Sequence, residues 1–152
     1  MTSIRIALAG GIAALALTGT GALAAETAAE KANIAAATAF YDAAINQKDF
    51  DKAKAYLGPR YTQHNPQAQD GPEGLKGYIA FLKDKFPQQH NDFKRVFADG
   101  DYVIVHCHSV QVPGTRGRAI VDIFRLENGK IVEHWDVAQD IPEKMPHNNG
   151  MF

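Results

Sequence analysis

The dipeptide Asn128-Gly129 constrains the fold more than any other feature of this 152-residue chain. It separates two runs that are rich in β-branched and aromatic residues. A type I′ hairpin turn needs φ > 0 at both central positions, which Asn and Gly adopt readily. The sequence therefore predicts a β-hairpin over residues 118–139. Counting outward from a two-residue turn gives the pairs Glu127–Lys130, Leu126–Ile131, Phe124–Glu133 and Asp122–Trp135.

Asp122 is the unusual residue of this hairpin, because side chains alternate between the two faces of a strand. Most side chains on its predicted face are apolar, namely Ile120, Phe124, Leu126, Ile131, Trp135 and Val137. Burying an ionised carboxylate there is costly, so Asp122 either finds hydrogen-bond donors or keeps its proton. It is then a general acid, a general base, or a residue that only fixes register. A β-bulge near Phe124 would turn Asp136 and His134 inward instead.

The first 24 residues have the pattern of a secretory signal peptide. Arg5 supplies a positive start, residues 6–17 are apolar, and Ala22-Leu23-Ala24 is a cleavage site. The apolar run is shorter than the roughly 20 residues that a membrane span needs. We therefore expect a mature domain over residues 25–152 that is periplasmic or secreted and has no membrane attachment after cleavage.

Charge and cysteine content narrow the classes of protein further. The chain has 16 Lys and Arg residues against 17 Asp and Glu residues, for a net charge of −1. It contains no dense basic patch, so we predict no nucleic-acid partner. Cys107 is the single cysteine, which excludes a disulfide within the chain, and its strand-like surroundings predict a small buried core residue.

The order of the elements predicts an α+β domain. Helical patterns cover residues 26–46, 50–57 and 71–86, with Tyr41 on the apolar stripe of the first. A short extended piece over residues 60–66 lies between the second and third. Strand patterns follow over residues 91–98 and 102–112, before the hairpin. Helices followed by an antiparallel meander predict helices packed on one face of a curved sheet.

Two histidine groups are further candidates for chemistry. His106 and His108 are two apart in a predicted strand and therefore share a face. They suit metal ligation, acid–base chemistry or hydrogen bonding, or they lie on the outer face or at a dimer contact. A zinc site needs at least one more protein ligand, which the sequence does not place, so we predict neither a metal nor a cofactor. His64-Asn65-Pro66 forms either a cavity mouth or an ordinary turn.

Four motifs together resemble the SnoaL-like polyketide cyclases, within the superfamily of nuclear transport factor 2 and ketosteroid isomerase. They cover residues 61–66, 71–74, 121–125 and 128–137. The resemblance implies a cone-like fold of three N-terminal helices against a curved antiparallel sheet that encloses a pocket, usually in a homodimer. It also places Asp122 where these enzymes have a catalytic aspartate. Asn65 stands near the position of the isomerase base and cannot take a proton, so we do not expect steroid isomerisation.

These observations predict a small-molecule pocket with cofactor-free acid–base catalysis on a carbonyl compound, of the aldol cyclisation or isomerisation type. The predicted catalytic residues are Asp122, His64, His106 and His108. The predicted ligand-binding residues are Tyr41, Asn65, Phe124, Trp135 and Asp136. The alternative is a non-catalytic module that binds an apolar ligand. The outer face of the hairpin, with Val121, Ile123 and Val132, leaves apolar side chains that need cover and favours a homodimer.

Overall fold

The computed structural model describes residues 25–152, so the predicted signal peptide lies outside the described residues. The helices are α1 (Ala28–Tyr41), which continues as a π-helical segment (Asp42–Asn46), α2 (Phe50–Lys54) and α3 (Gly71–Lys85). The strands are β1 (Leu57–Gln63), β2 (His90–Asp99), β3 (Tyr102–Val110), β4 (Arg118–Glu127) and β5 (Lys130–Asp140). Within residues 25–152, no helix combines the length and the apolar character needed to cross a membrane.

The strands form one open, curved five-stranded sheet in the order β1-β5-β4-β3-β2. The antiparallel meander from β2 to β5 is confirmed. The extended piece after the second helix is a fifth strand, β1, which pairs in parallel with β5. The prediction of an entirely antiparallel sheet is therefore wrong at this one edge, because a parallel neighbour so far along the chain leaves no local turn signal.

The hairpin turn is as predicted, but its register changes a few residues away from the turn. Asn128 and Gly129 both have positive φ, at 51° and 72°, and Leu126 pairs with Ile131. The register then shifts between Arg125 and Leu126, so that Asp122 pairs with Asp136 rather than with Trp135. An extra residue on one strand reverses the faces of every residue beyond it. His134 and Asp136 therefore turn inward and Trp135 turns outward.

The bulge depends on the neighbouring strand β1. Ile131 and Val132 are consecutive on β5, yet both are fully buried. A Cβ atom on Gly58 would lie 2.7 Å from Cγ1 of Val132, so only glycine leaves room for this valine. The prediction that Val132 belongs to an exposed outer face is therefore wrong. Packing between two strands that are distant in sequence sets the register on which the inner face depends.

Helix α1 is held over the inner face of the sheet at its start and near its end. Thr27 and Glu30 form a capping box, and Glu30 Oε1 also accepts a hydrogen bond from the amide of Gly100 in the β2–β3 turn. Such caps contribute about 1 kcal/mol. Near its C-terminal end, Phe40 and Tyr41 meet the Phe124 ring edge-on, with centroids 5.8 and 6.1 Å apart. These contacts carry Tyr41 to the interior.

Two glycines of α3 give a matched test of the packing between this helix and the loop that precedes it. A Cβ atom on Gly74 would collide with the backbone carbonyl of Gln69, whereas one on Gly77 would meet nothing within 4 Å. We expect Gly74→Ala to lower the free energy of unfolding by roughly 1–3 kcal/mol, because the clash is with main chain. Gly77→Ala is expected to raise it by about 0.5–1 kcal/mol through helix propensity. Urea unfolding measures both, and equal effects would contradict the packing described here.

Candidate functional site

A cavity of about 380 Å³ lies between the helices and the inner face of the sheet. Its apolar wall includes Phe40, Leu75 and Ile120, which come from α1, α3 and β4. Its polar groups come from six elements and from the loops after β1 and before β2. They are Tyr41, Tyr61, Gln63, Asn65, Gln67, Tyr78, Gln89, Asn91, Arg118, Asp122, His134 and Asp136. The cavity therefore combines an apolar wall with convergent polar side chains, which is typical of a small-molecule site.

Asp122 lies at the centre of this polar cluster and is only 4% exposed. Its Oδ1 is 3.1 Å from Nε2 of His134, and the thiol of Cys107 donates to Oδ2 over 3.7 Å. Burial raises the pKa of Asp122, and the hydrogen bond and charge of His134 oppose that rise. The expectation that Asp122 faces the pocket is met, although its histidine partner is His134 and not one of those selected from the sequence.

The proton on His134 is assigned by a chain of hydrogen bonds that starts at the backbone. The amide N–H of Asn65 donates to Oε1 of Gln63 over 2.9 Å, which fixes that atom as the oxygen of the side-chain amide. The same Oε1 is 2.9 Å from Nδ1 of His134, so Nδ1 must carry a hydrogen. Gln63 Nε2 in turn donates to the Tyr61 hydroxyl over 3.0 Å. Nε2 of His134 is left facing Asp122.

One proton is therefore shared between Asp122 Oδ1 and His134 Nε2. A neutral acid donates to a neutral imidazole, or an imidazolium donates to a carboxylate. The pair has no net charge in either form, which suits a buried site. Such a pair can gain or lose one proton and so act as a general acid or base.

Tyr41 approaches the same centre from α1. Asn91 Nδ2 donates to the Tyr41 hydroxyl over 2.7 Å, and that hydroxyl is 3.3 Å from Sγ of Cys107. Burial, with the negative charge of Asp122 as the next cause, raises the pKa of Tyr41 well above its ordinary value. Burial also raises the pKa of Cys107 to about 12. Tyr41 therefore keeps its hydrogen and remains a donor, and the Cys107 thiol is a neutral core group, as predicted.

Asp136 lies beside Asp122 on the neighbouring strand. Its Oδ2 accepts a 2.8 Å hydrogen bond from Nδ2 of Asn65, whose Oδ1 accepts from the amide of Gln67 over 2.7 Å. Its Oδ1 is buried and has no hydrogen-bond partner among the described residues. Asn65 thus both makes its own turn and orients Asp136, which combines the two interpretations of the His64-Asn65-Pro66 segment.

His64 and Trp135 lie on the outer face of the sheet, so the prediction that they line the pocket is wrong. Their rings stack at 4.7 Å and are nearly parallel, and His64 Nε2 is 2.9 Å from Oε1 of Glu133. Trp135 is turned outward by the bulge in β5. His64 follows the inward-pointing Gln63, so alternation along the chain directs it outward as well.

His106 and His108 are also on the outer face and do not reach Asp122. Strand β3 pairs Val105 with Asp122, so Val105 and Cys107 point inward and the two histidines point outward. Their rings lie 5.3 and 5.0 Å from that of Phe152. The predicted catalytic placement of both histidines is therefore wrong. In residues 25–152, no three His, Cys, Asp or Glu side chains form a group that could hold a metal ion.

The structure adds His134, Gln63, Tyr61 and Asn91 to the site. A register without a bulge places His134 on the face opposite Asp122. Tyr61, Gln63 and Asn65 alternate along the chain, which is the signal of one face of a strand. That period-two pattern of polar side chains was available in the sequence and would have directed attention to Gln63 instead of His64.

A family model identifies the family of this chain. A model of the SnoaL-like domain matches residues 37–134, which include the Asp122–His134 pair. No curated protein sequence matches the chain.

Solved structures share the fold at low sequence identity. A putative SnoaL-like polyketide cyclase from Jannaschia sp. CCS1 is 20% identical, with a TM-score of 0.62 over 76% of this chain and 90% of its own. TsrD from Streptomyces laurentii is 21% identical, with a TM-score of 0.60 over 71% and 89%. AclR, a putative hydroxylase from Streptomyces galilaeus, is 19% identical, with a TM-score of 0.59 over 72% and 90%. These differing descriptions accompany one fold, so activity must be argued from the site.

Proposed function

Because the chain belongs to the SnoaL-like domain family, we propose that it binds a small carbonyl compound in its cavity and transfers a proton at the carbon next to the carbonyl. The reaction is of the aldol cyclisation or isomerisation type and uses no cofactor. The buried Asp122–His134 pair is the observation that carries this proposal. It is an ionisable pair with a fixed tautomer, set in the wall of a cavity large enough for a small ligand.

In the proposed reaction, the Asp122 carboxylate takes a proton from the α carbon while His134 holds the shared proton. The electron pair of the broken C–H bond becomes the enolate. The extra proton on the buried pair then offsets the enolate charge. The Tyr41 hydroxyl, whose pKa is raised by burial, supplies a hydrogen-bond donor for the enolate oxygen.

The proton then returns to complete the reaction. In an isomerisation it goes to a different carbon of the substrate. In an aldol closure the enolate carbon attacks a second carbonyl, and the proton goes to the new alkoxide oxygen. Both routes leave Asp122 and His134 in their starting state, so the pair acts catalytically.

Hydrogen–deuterium exchange at carbon tests this proposal without knowledge of the natural substrate. A panel of small ketones and keto acids is incubated with the protein in D₂O, and loss of the α-proton signal is followed by NMR. We expect exchange above the buffer rate for ligands that bind, and unchanged exchange in a His106→Gln variant, since His106 lies outside the cavity. Ligands that bind with no exchange would indicate the alternative, a binding module for apolar compounds.

We propose that the protein works outside the cytoplasm as a homodimer. Export is supported by the pattern of residues 1–24. The dimer is supported by the outer face of the sheet, where Phe97, Tyr102, Val121 and Val137 are exposed. Exposed apolar side chains of this kind on a sheet face favour association.

The dimer proposal gives a measurable expectation. Light scattering at tens of micromolar should give the mass of two chains. Val121→Lys is expected to yield monomers, because it puts a charge in the middle of the outer face. The control is Val112→Lys, which alters a loop valine that is 50% exposed, against 38% for Val121. A monomer mass for the unmodified protein would contradict the proposal.

A further inference from the structure

Arg118 is a cation in the cavity that has no partner there. It begins β4, lines the cavity and is partly buried. Among residues 25–152 it makes no side-chain hydrogen bond and no ion pair, although two carboxylates, Asp122 and Asp136, line the same cavity. Oδ1 of Asp136 is itself without a partner among the described residues, so these opposite charges face one space without meeting.

The backbone at Arg118 is held firmly in place. Gly117 has a φ of 73°, and a Cβ atom there would collide with the carbonyl oxygen of Ser109 on β3. The carbonyl of Gly117 also accepts a 3.1 Å hydrogen bond from the amide of Ile141. The start of β4 is therefore fixed against both neighbouring strands, which fixes the position from which the Arg118 side chain extends.

The register of β4 directs Arg118 towards the cavity, because Arg118 pairs with the buried Ser109 and lies on the same face as Asp122. Tyr78 is another polar group of the same cavity. This tyrosine lines the cavity from α3. Burial raises the pKa of Tyr78, and the positive charge of Arg118 is the main effect that opposes the rise. The sign of this charge effect agrees with the position of Arg118 in the cavity lining.

The spacing along β4 defines the shape of the ligand that would use both groups. Arg118 and Asp122 share the inner face and are four residues apart, so their Cα atoms are separated by about 13 Å. The length of the arginine side chain shortens the gap between the charged groups. A ligand that reaches both therefore has an anionic end and a carbonyl end separated by a ring or a short chain.

We propose that the ligand of this cavity is an organic carboxylate, whose carboxylate binds Arg118 while its carbonyl group reaches Asp122 and His134. A guanidinium presents paired N–H donors that match the two oxygens of a carboxylate. The carbonyl end of this assignment rests on the proposed function. The assignment of the carboxylate end rests on Arg118 alone and holds whether or not the protein is a catalyst.

Calorimetric titration with a matched pair of probes tests the assignment. 4-Acetylbenzoate carries a ketone and a carboxylate on one ring, and 4-acetylbenzamide is its neutral counterpart. We expect the unmodified protein to bind the acid roughly 10–100-fold more tightly than the amide, the usual worth of hydrogen bonds to a charged group. Arg118→Gln should remove that preference, so that the acid and the amide bind with similar affinity. Arg116→Gln is the control, because Arg116 carries the same charge in the adjacent loop.

Three results of the titrations would contradict the assignment. Equal affinity for acid and amide, no binding of the acid to the unmodified protein, or full acid affinity in Arg118→Gln would each overturn it. The last result would mean that Arg118 turns to an acidic neighbour such as Asp140. The variant Asp122→Asn distinguishes the two proposals, because it should lose α-proton exchange and still bind the acid. Acid binding with no α-proton exchange in the unmodified protein would refute the catalytic proposal and leave the Arg118 assignment standing.

Discussion

Replacing Asp122 by asparagine is expected to lower the rate of α-proton exchange by roughly 10²–10⁴-fold, the usual contribution of a positioned acid–base group. The fold and the ligand affinity should survive the change. Asparagine has the shape of aspartic acid, and its Nδ2 can donate to Nε2 of His134, which the Gln63 chain leaves free to accept. Its oxygen can accept from Cys107 in place of Asp122 Oδ2. Only the ionisable proton is lost.

The same variant should change how stability depends on pH. Burial raises the folded-state pKa of Asp122 above its unfolded value. The unfolded chain therefore releases this proton first, and the stability that Asp122 contributes at low pH is lost as the pH rises through its folded pKa. Asparagine has no such loss. We expect the stability of Asp122→Asn relative to the unmodified protein to increase with pH.

Two measurements check this prediction. Urea unfolding across a pH series gives the stability difference, and NMR exchange in D₂O gives the rate. Asp140→Asn is the control, because Asp140 is an exposed acid at the end of β5. Full exchange activity in Asp122→Asn would remove Asp122 from the reaction and with it the proposed mechanism.

The contrast between Asp122 and Trp135 shows how far local sequence determines this site. Asn128-Gly129 set the turn and the first two pairs correctly, because a type I′ turn is specified by its own two residues. The alternation of β4 then placed Asp122 and Phe124 inward. The predicted orientation of Trp135 was wrong, because the bulge at Val132 depends on Gly58, which lies more than 70 residues earlier in the chain. Contacts of that kind have no signature within the hairpin.

The predicted placement of His106 and His108 in the cavity was wrong for a similar reason. The sequence correctly put both histidines on one face of one strand, but it did not determine whether that face is the inner or the outer face of the sheet. The pairing of Val105 with Asp122 decides it, and that pairing belongs to the sheet as a whole. Fold class and the central carboxylate were therefore predictable from local patterns. The identity of the carboxylate's partner required the three-dimensional register.

The buried polar chain around Asp122 also explains why the site depends on several elements at once. Gln63 on β1 fixes His134 on β5, which faces Asp122 on β4. On the other side, Asn91 on β2 orients Tyr41 on α1. A buried polar group that loses its partner is costly, so each member of this chain restricts the position of the next. The parallel pairing of β1 with β5 is thus the contact that completes the site.

Two substitutions of His134 are expected to lower the exchange rate strongly, and each removes a different one of its two hydrogen bonds. In His134→Asn the side-chain Nδ2 takes the place of Nδ1 and can still donate to Gln63, but nothing reaches Asp122. In His134→Gln the longer side chain can still donate to Asp122 Oδ1, but the contact with Gln63 is lost. We expect both variants to lose roughly 10²-fold in exchange rate, because the shared proton is gone.

The pH dependence of exchange distinguishes the two variants. His134 lowers the pKa of Asp122 by its hydrogen bond first and by its charge second, against the effect of burial. Asparagine removes both contributions, so the pKa of Asp122 should rise further. The carboxylate that acts as base then forms only at higher pH, and the rising limb of the pH–rate profile should move upward. Glutamine keeps a hydrogen bond but not the charge, so the rising limb of the His134→Gln profile should move less.

A rising limb that stays in place or moves downward in His134→Asn would show that His134 does not lower the pKa of Asp122. The base would then have to be sought at Asp136, the other carboxylate in the cavity.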